Sequence, residues 1–130
     1  MASGVEKNSG LNLLWTNPSP DSAFSPQTVS VDLSKYSVIL IEFAYNTNAG
    51  NGTYFSIFAT SSSRSNHYTF TNINITSGYS GQPTSISRSL SFTQDGIAFG
   101  NGEQKDPTAS STTPTTVNNV RCIPLKIWGL

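Results

Sequence analysis

Few side chains in this sequence are of the types that carry enzyme chemistry. There is one histidine, His67, one cysteine, Cys122, and seven acidic residues among 130. A metal site normally takes several His, Cys or carboxylate ligands at matching spacing, and no such spacing occurs. His67 and Cys122 would form a base and nucleophile only if they met in space, and nothing in the local sequence indicates that they do. We therefore predict that the protein is not an enzyme and uses no metal or other cofactor.

Paired carboxylates are the other route to catalysis, because two acids flanking a glycosidic bond can hydrolyse it. Most acidic residues here lie in turn-rich segments or near the amino end, and only Glu42 lies inside an apolar run. A depolymerase or glycosidase acting on cell-surface polysaccharide is therefore the least favoured alternative.

Aromatic residues beside polar ones are better candidates, for ligand binding and not for catalysis. An aromatic ring stacks on the apolar face of a sugar while nearby polar groups bond its hydroxyls. Aromatic residues at predicted strand ends or in loops include Trp15 and Tyr45, and the residues predicted to bind ligand are Tyr54, Arg64, His67, Tyr68 and Tyr79. The alternative is that most of these rings pack in the core or against another subunit.

Composition restricts the partners of the chain. Charged residues make up 11% of it and cancel to a formal net charge of zero. Binding to nucleic acid or to an anionic membrane surface relies on clustered Lys and Arg, so we expect neither. No segment approaches the roughly 18 apolar residues of a membrane span, and the amino end lacks the pattern of a secretory signal. A nearly neutral surface protects poorly against association, which favours a place inside an assembly.

The elements that position these residues are strands. No helical periodicity is sustained, while β-branched and aromatic runs recur between clusters of turn residues. Strands are predicted at 11–15, 27–33, 38–45, 54–60, 67–75, 85–93, 97–99 and 121–128. The pattern predicts an all-β, single-domain β-sandwich over residues 11–130, jelly-roll-like, with about eight antiparallel strands. A flexible segment is expected at 1–10 and a long surface loop at 100–119.

Two of these strands have unusual compositions. The run at 38–45 is almost continuously apolar, which is typical of a central strand covered on both faces. The run at 121–128 is followed by Gly129 and Leu130 at the carboxyl end, where chains usually fray, so we expect Trp128 and Leu130 in the core or against a neighbouring subunit. Pro124 cannot donate a ladder hydrogen bond, so this strand should lie at an edge or pair on one side there.

Charged residues within apolar strands raise a question of pairing. Glu42 lies inside the run at 38–45, and Arg88 shares a predicted face with Ile86 and Leu90. A buried charge is costly unless it is paired. Either Glu42 meets Arg88 or Lys126, within the domain or across a subunit contact, or each side chain points to solvent. The residues predicted to serve the core or the assembly are Glu42, Arg88, Lys126 and Trp128.

The carboxyl-terminal residues 120–130, Val-Arg-Cys-Ile-Pro-Leu-Lys-Ile-Trp-Gly-Leu, carry a resemblance to a known group of proteins. They resemble the closing I-P-x-K-I-[YW]-G signature of small bacteriophage tail- and fibre-associated domains. Residues 13–18, 24–32 and 36–43 resemble the opening of such domains, and residues 88–100 resemble their middle hairpin.

The resemblance implies a trimeric β-sandwich at the tip of a tail or head fibre, or in a baseplate, that adheres to a host-surface saccharide without catalysis. The expected protein is therefore made in the host cytoplasm and resides in the virion. Its expected partners are its own copies in a homotrimer, other virion proteins and the saccharide. No receptor-site residues carry over, because the matching motifs are structural strands. The alternative is a capsid decoration or head-fibre structural protein without receptor-binding activity.

Overall fold

A computed structural model of the chain describes residues 10–48, 52–60, 69–76, 83–105 and 115–130. These residues contain no helix, and therefore none that could cross a membrane. All eight predicted strands are present, together with one further two-residue strand. The strands are β1 (Asn12–Thr16), β2 (Gln27–Ser30), β3 (Val38–Asn46), β4 (Thr53–Ala59), β5 (Thr69–Thr76), β6 (Pro83–Thr93), β7 (Gly96–Lys105), β8 (Thr116–Val117) and β9 (Arg121–Gly129).

The strands form two antiparallel sheets, which confirms the predicted β-sandwich. The first sheet has the order β1-β9-β3-β4, and the second has the order β2-β7-β6-β5 with β8 paired to β7. The chain changes sheets after β1, β2, β4 and β8, whereas the hairpins β3–β4, β5–β6 and β6–β7 each stay within one sheet. Fully buried side chains from both sheets meet between them, among them Ile39, Ile41, Phe43, Ile86, Ile97 and Ile127.

The carboxyl-terminal strand β9 lies inside the first sheet, between β1 and β3, and not at an edge. The second alternative for Pro124, pairing on one side, is confirmed. Pro124 faces Phe43 of β3, while the pairing of β1 with β9 ends at Thr16 and Lys126. On that side the Nδ2 of Asn17 donates to the carbonyl of Pro124 at 2.8 Å. The missing N–H of proline therefore falls where β9 has no neighbouring strand.

Strand β7 continues through residues 100–105, so the loop predicted at 100–119 is wrong at its beginning. In this extension Gly102 pairs with Arg88 and Lys105 pairs with Ser85. The segment is polar and rich in glycine, and so gives no strand signal. Gly102 is required by close packing: a Cβ there would lie 2.6 Å from the carbonyl oxygen of Asn118 and 2.7 Å from that of Arg121. Residues 106–114, like the predicted flexible residues 1–9, lie outside the described residues.

Candidate functional site

Arg88 is the most unusual buried residue in the described structure. It projects from β6 into the core and has no solvent exposure. Its guanidinium donates to five backbone carbonyls, which matches its full complement of five N–H donors. Nε donates to Cys122 at 2.7 Å, Nη1 donates to Phe24 at 2.9 Å and Gly100 at 2.7 Å, and Nη2 donates to Arg121 at 3.0 Å and Asn119 at 3.5 Å.

Carbonyl dipoles replace both water and a counter-ion around this cation. No described carboxylate forms an ion pair with Arg88, and its Cζ lies 5.3 Å from the centroid of the Phe24 ring. Burial lowers the pKa of Arg88 to about 10, so the guanidinium remains charged at neutral pH. The core therefore stabilises a charge through hydrogen bonds and a ring face.

Cys122 lies beside this cation and is buried. Burial raises the pKa of its thiol to about 12, with the Arg88 charge acting in the opposite direction as the smaller effect. The thiol is therefore protonated at neutral pH and is not a thiolate nucleophile. Cys122 has a φ of 50°, the one positive value among described residues other than glycine. This sparsely populated conformation occurs where its carbonyl accepts the bond from Arg88.

Glu42 does not meet Arg88, so that pairing is wrong. Glu42 is instead the cross-strand neighbour of Lys126 on the outer face of the first sheet. The Nζ of Lys126 lies 5.8 Å from the ring centroid of Trp128, also on that face. Opposite charges facing each other across strands attract weakly in water. The four residues predicted for the core or the assembly thus separate into one core residue, Arg88, and three on the outer face.

A cleft opens where the edge strands of the two sheets, β1 and β2, come together. It has a volume of about 410 Å³ and is lined by Trp15 and Phe24, by residues 17–19 and by residues 27–30 of β2. We call it the Trp15 cleft. Its volume lies within the range of about 300 to 1,000 Å³ that is usual for small-molecule sites.

The Trp15 cleft has an apolar floor and a polar rim. The Trp15 ring is half-buried and meets Phe24 edge-on, with centroids 6.2 Å apart. No described group accepts a hydrogen bond from the indole N–H of Trp15. Gln27, Thr28 and Ser30 are exposed on the rim, and none of the lining side chains is ionisable. The cleft therefore suits a neutral ligand that has one apolar face and several hydroxyl groups.

Arg88 connects the floor of this cleft to the core. The carbonyl of Phe24 accepts from Nη1 of Arg88, and the N–H of Phe24 donates to the carbonyl of Asn119 at 2.9 Å. The Phe24 ring then packs edge-on against Phe99, with centroids 5.5 Å apart. Arg88 thus acts as a positioning residue, which fixes Phe24 without touching the cleft itself.

Of the residues predicted to bind ligand, only Tyr54 belongs to the described part of the chain, and it does not line the Trp15 cleft. Tyr54 lies on β4, paired with Phe43, and β4 forms the edge of the first sheet opposite to β1. Arg64, His67, Tyr68 and Tyr79 lie outside the described residues. Within the described chain, no group of three or more His, Cys, Asp or Glu could hold a metal ion.

Sequence reasoning identified Trp15 as an aromatic candidate but missed its polar neighbours on β2. Thr28 and Ser30 look like the solvent side of an ordinary alternating strand. Their place in a cleft depends on the edges of β1 and β2 coming together, which requires the sheet order. The only local signal of the cleft was that β1 and β2 both border the turn-rich segment that joins them, residues 17–26.

Comparison of this chain with protein-family models, with curated proteins and with solved structures gave no match.

Proposed function

We propose that this chain is a non-enzymatic bacteriophage virion protein, at a tail or fibre tip or in a baseplate, that attaches to the host surface by binding a saccharide. The virion assignment is supported by the resemblance of residues 120–130 to phage appendage domains. The binding assignment is supported chiefly by one observation, the Trp15 cleft. The cleft places a half-exposed indole, whose N–H has no acceptor among the described residues, next to neutral amide and hydroxyl groups.

The chemistry of attachment follows from these groups. A pyranose ring would stack its C–H face on Trp15, and the Gln27 amide and the Thr28 and Ser30 hydroxyls would bond its hydroxyl groups. Such a site binds weakly, because each neutral hydrogen bond contributes only about 0.5 to 1.5 kcal/mol after desolvation. A homotrimer would present three clefts, and simultaneous binding at several of them can raise apparent affinity by about 10² to 10⁴.

We expect Gln27→Ala to weaken saccharide binding by about three- to ten-fold, the effect of losing one hydrogen bond. Gln94→Ala is the matched control, since Gln94 is also an exposed glutamine but lies in the β6–β7 turn. The measurement is binding to an array of bacterial surface polysaccharides, followed by titration with the best oligosaccharide found. A Trp128→Phe background leaves Trp15 as the single tryptophan, so its fluorescence reports directly on the cleft.

Equal loss of binding in both glutamine variants would exclude the cleft as the site. A wild-type protein that retains no polysaccharide on the array and does not adhere to host cells would contradict the proposed attachment function as a whole.

A capsid decoration or head-fibre structural protein is the second candidate, and the outer face of the first sheet favours it. That face carries exposed apolar side chains, including Phe55 and Ile57, which are typical of assembly surfaces. Immunogold labelling of intact virions separates the two functions. Label on tail or fibre tips together with host adhesion supports attachment, whereas label on the capsid without adhesion supports decoration.

A further inference from the structure

The outer face of the first sheet, on the side away from the second sheet, is apolar across all four strands. The registered pairs place Leu13, Trp128, Leu40 and Ile57 in one continuous row from β1 to β4. The next row lies toward the carboxyl end of β9. There Leu130 exchanges two backbone hydrogen bonds with Val38, and Val38 pairs with Ala59. On the other side of the central row lie Thr16, Lys126, Glu42 and Phe55.

Most of the exposed apolar surface of the described chain is concentrated on this face. Ile57 is 72% exposed, Phe55 57% and Leu13 55%. Of the seven large hydrophobic residues found exposed, five belong to this face or its margin: Leu11, Leu13, Phe55, Ile57 and Leu130. At strand spacings of about 4.8 Å the face measures roughly 20 Å by 20 Å, a patch size that is often functional.

The sequence of β3 indicates that this face is covered by another molecule. Its inner side chains Ile39, Ile41 and Phe43 are fully buried, but no described segment of the chain lies over its outer side chains Leu40 and Glu42. A continuous apolar run is nevertheless typical of a strand covered on both faces. The undescribed segments longer than three residues, 1–9, 61–68, 77–82 and 106–114, are mostly polar, and their large apolar or aromatic residues are Met1, Val5, Tyr68 and Tyr79.

We propose that this face is the surface through which copies of this chain associate, with the β1–β9 half of one copy packed on the β3–β4 half of another. That arrangement sets Lys126 of one copy against Glu42 of its neighbour, and these are the face's two charged side chains. A face whose two halves complement each other, and which carries no net charge, suits a further copy of the chain better than a charged partner. The interface would supply the contact surface of the proposed homotrimer. It is tested independently of saccharide binding.

The size of the face agrees with this role. A standard interface buries about 800 Å² on each partner, with an apolar centre and a polar rim. The three rows supply roughly 400 Å² of flat area for the centre. The surrounding polar side chains of the same sheet then form the rim.

Ile57→Lys tests the interface, with Val117→Lys as the matched control. Val117 is also an exposed β-branched residue, 61% exposed, but it lies on β8 of the second sheet. In sedimentation velocity over a concentration series, we expect Ile57→Lys to raise the dissociation constant of the wild-type assembly by about ten-fold or more. Val117→Lys should leave it unchanged, and both variants should unfold at the wild-type temperature when measured as monomers.

Charge exchange gives a second test of the same arrangement. Glu42→Lys and Lys126→Glu should each weaken association, because they place like charges together, and the double variant should restore it. A wild-type chain that stays monomeric at about 100 µM, a concentration that populates even weak complexes, would overturn the proposal and assign the face to a different protein. So would an Ile57→Lys variant that associates as strongly as Val117→Lys. Both outcomes leave the polysaccharide-binding measurement, and with it the attachment function, unaffected.

Discussion

Arg88→Met is expected to destabilise the folded domain by about 4 kcal/mol, because several buried carbonyls lose their hydrogen-bond donor together. Methionine fills a similar volume but donates no hydrogen bond. The carbonyls of Phe24, Gly100, Arg121 and Cys122 would then be left in the core without their donor, at about 1 to 3 kcal/mol for each one that finds no substitute. Since a domain is stable by only about 5 to 15 kcal/mol, this substitution removes a large share of the total. Urea unfolding followed by circular dichroism measures it.

Arg121→Met is the control for this experiment. Arg121 is only half-buried, with Nε donating to Gln104 at 2.7 Å and its Cζ lying 4.7 Å from the centroid of the Tyr45 ring. Its loss should cost about 1 kcal/mol. Arg88→Lys adds a further comparison, because it keeps the charge but has three donors on one atom and should cost about 2 to 3 kcal/mol. Equal urea midpoints for Arg88→Met and Arg121→Met would show that the hydrogen bonds from Arg88 to the buried carbonyls stabilise the fold no more than the contacts of Arg121 do.

The environment of Arg88 was predicted only in part from the sequence. The alternation from Ile86 to Phe92 placed Arg88 correctly on the inner face of β6, since periodicity determines which side of a strand faces inward. The sequence then suggested a carboxylate partner, because a buried charge needs compensation. It could not reveal that main-chain carbonyls from three separate segments, at Phe24, at Gly100 and at residues 119–122, provide that compensation. Backbone groups have no sequence signature, and their convergence depends on the sheet order and on the conformation of Cys122.

The Trp15 cleft and the outer face also differ in how far the sequence predicts them. The apolar run of β3 predicted two covered faces from composition alone, and the structure shows that the described residues cover the inner one. The cleft depends on the meeting of β1 and β2, which are neighbours in sequence but belong to different sheets. Propensity and alternation describe one strand at a time, so strands are predictable, whereas a site between two sheets is not.

Deleting residues 123–130 is expected to abolish folding. The deletion removes most of β9, which lies between β1 and β3 in the first sheet. Two fully buried isoleucines, Ile123 and Ile127, would be lost, and together they contribute roughly 3 to 6 kcal/mol of burial. β1 would also lose the strand it pairs with. This burial, together with the lost pairing of β1 and β3 with β9, amounts to a large share of the roughly 5 to 15 kcal/mol by which a domain is stable, so circular dichroism should show no cooperative thermal transition.

Deletion of Leu130 alone separates folding from assembly. Its backbone exchanges hydrogen bonds with Val38 at 2.9 and 3.1 Å and accepts a third from the N–H of Ser37 at 2.9 Å, and its side chain is half exposed on the outer face. We expect a loss of about 1.5 to 4.5 kcal/mol for the three bonds, which leaves a folded domain with dispersed amide proton resonances. The same variant should associate more weakly, because its missing side chain belongs to the face between copies. If the chain that lacks residues 123–130 still unfolds cooperatively, β9 is not essential for folding. If the chain that lacks only Leu130 associates as strongly as the wild type, the contact between copies is restricted to the rows that contain Trp128 and Phe55.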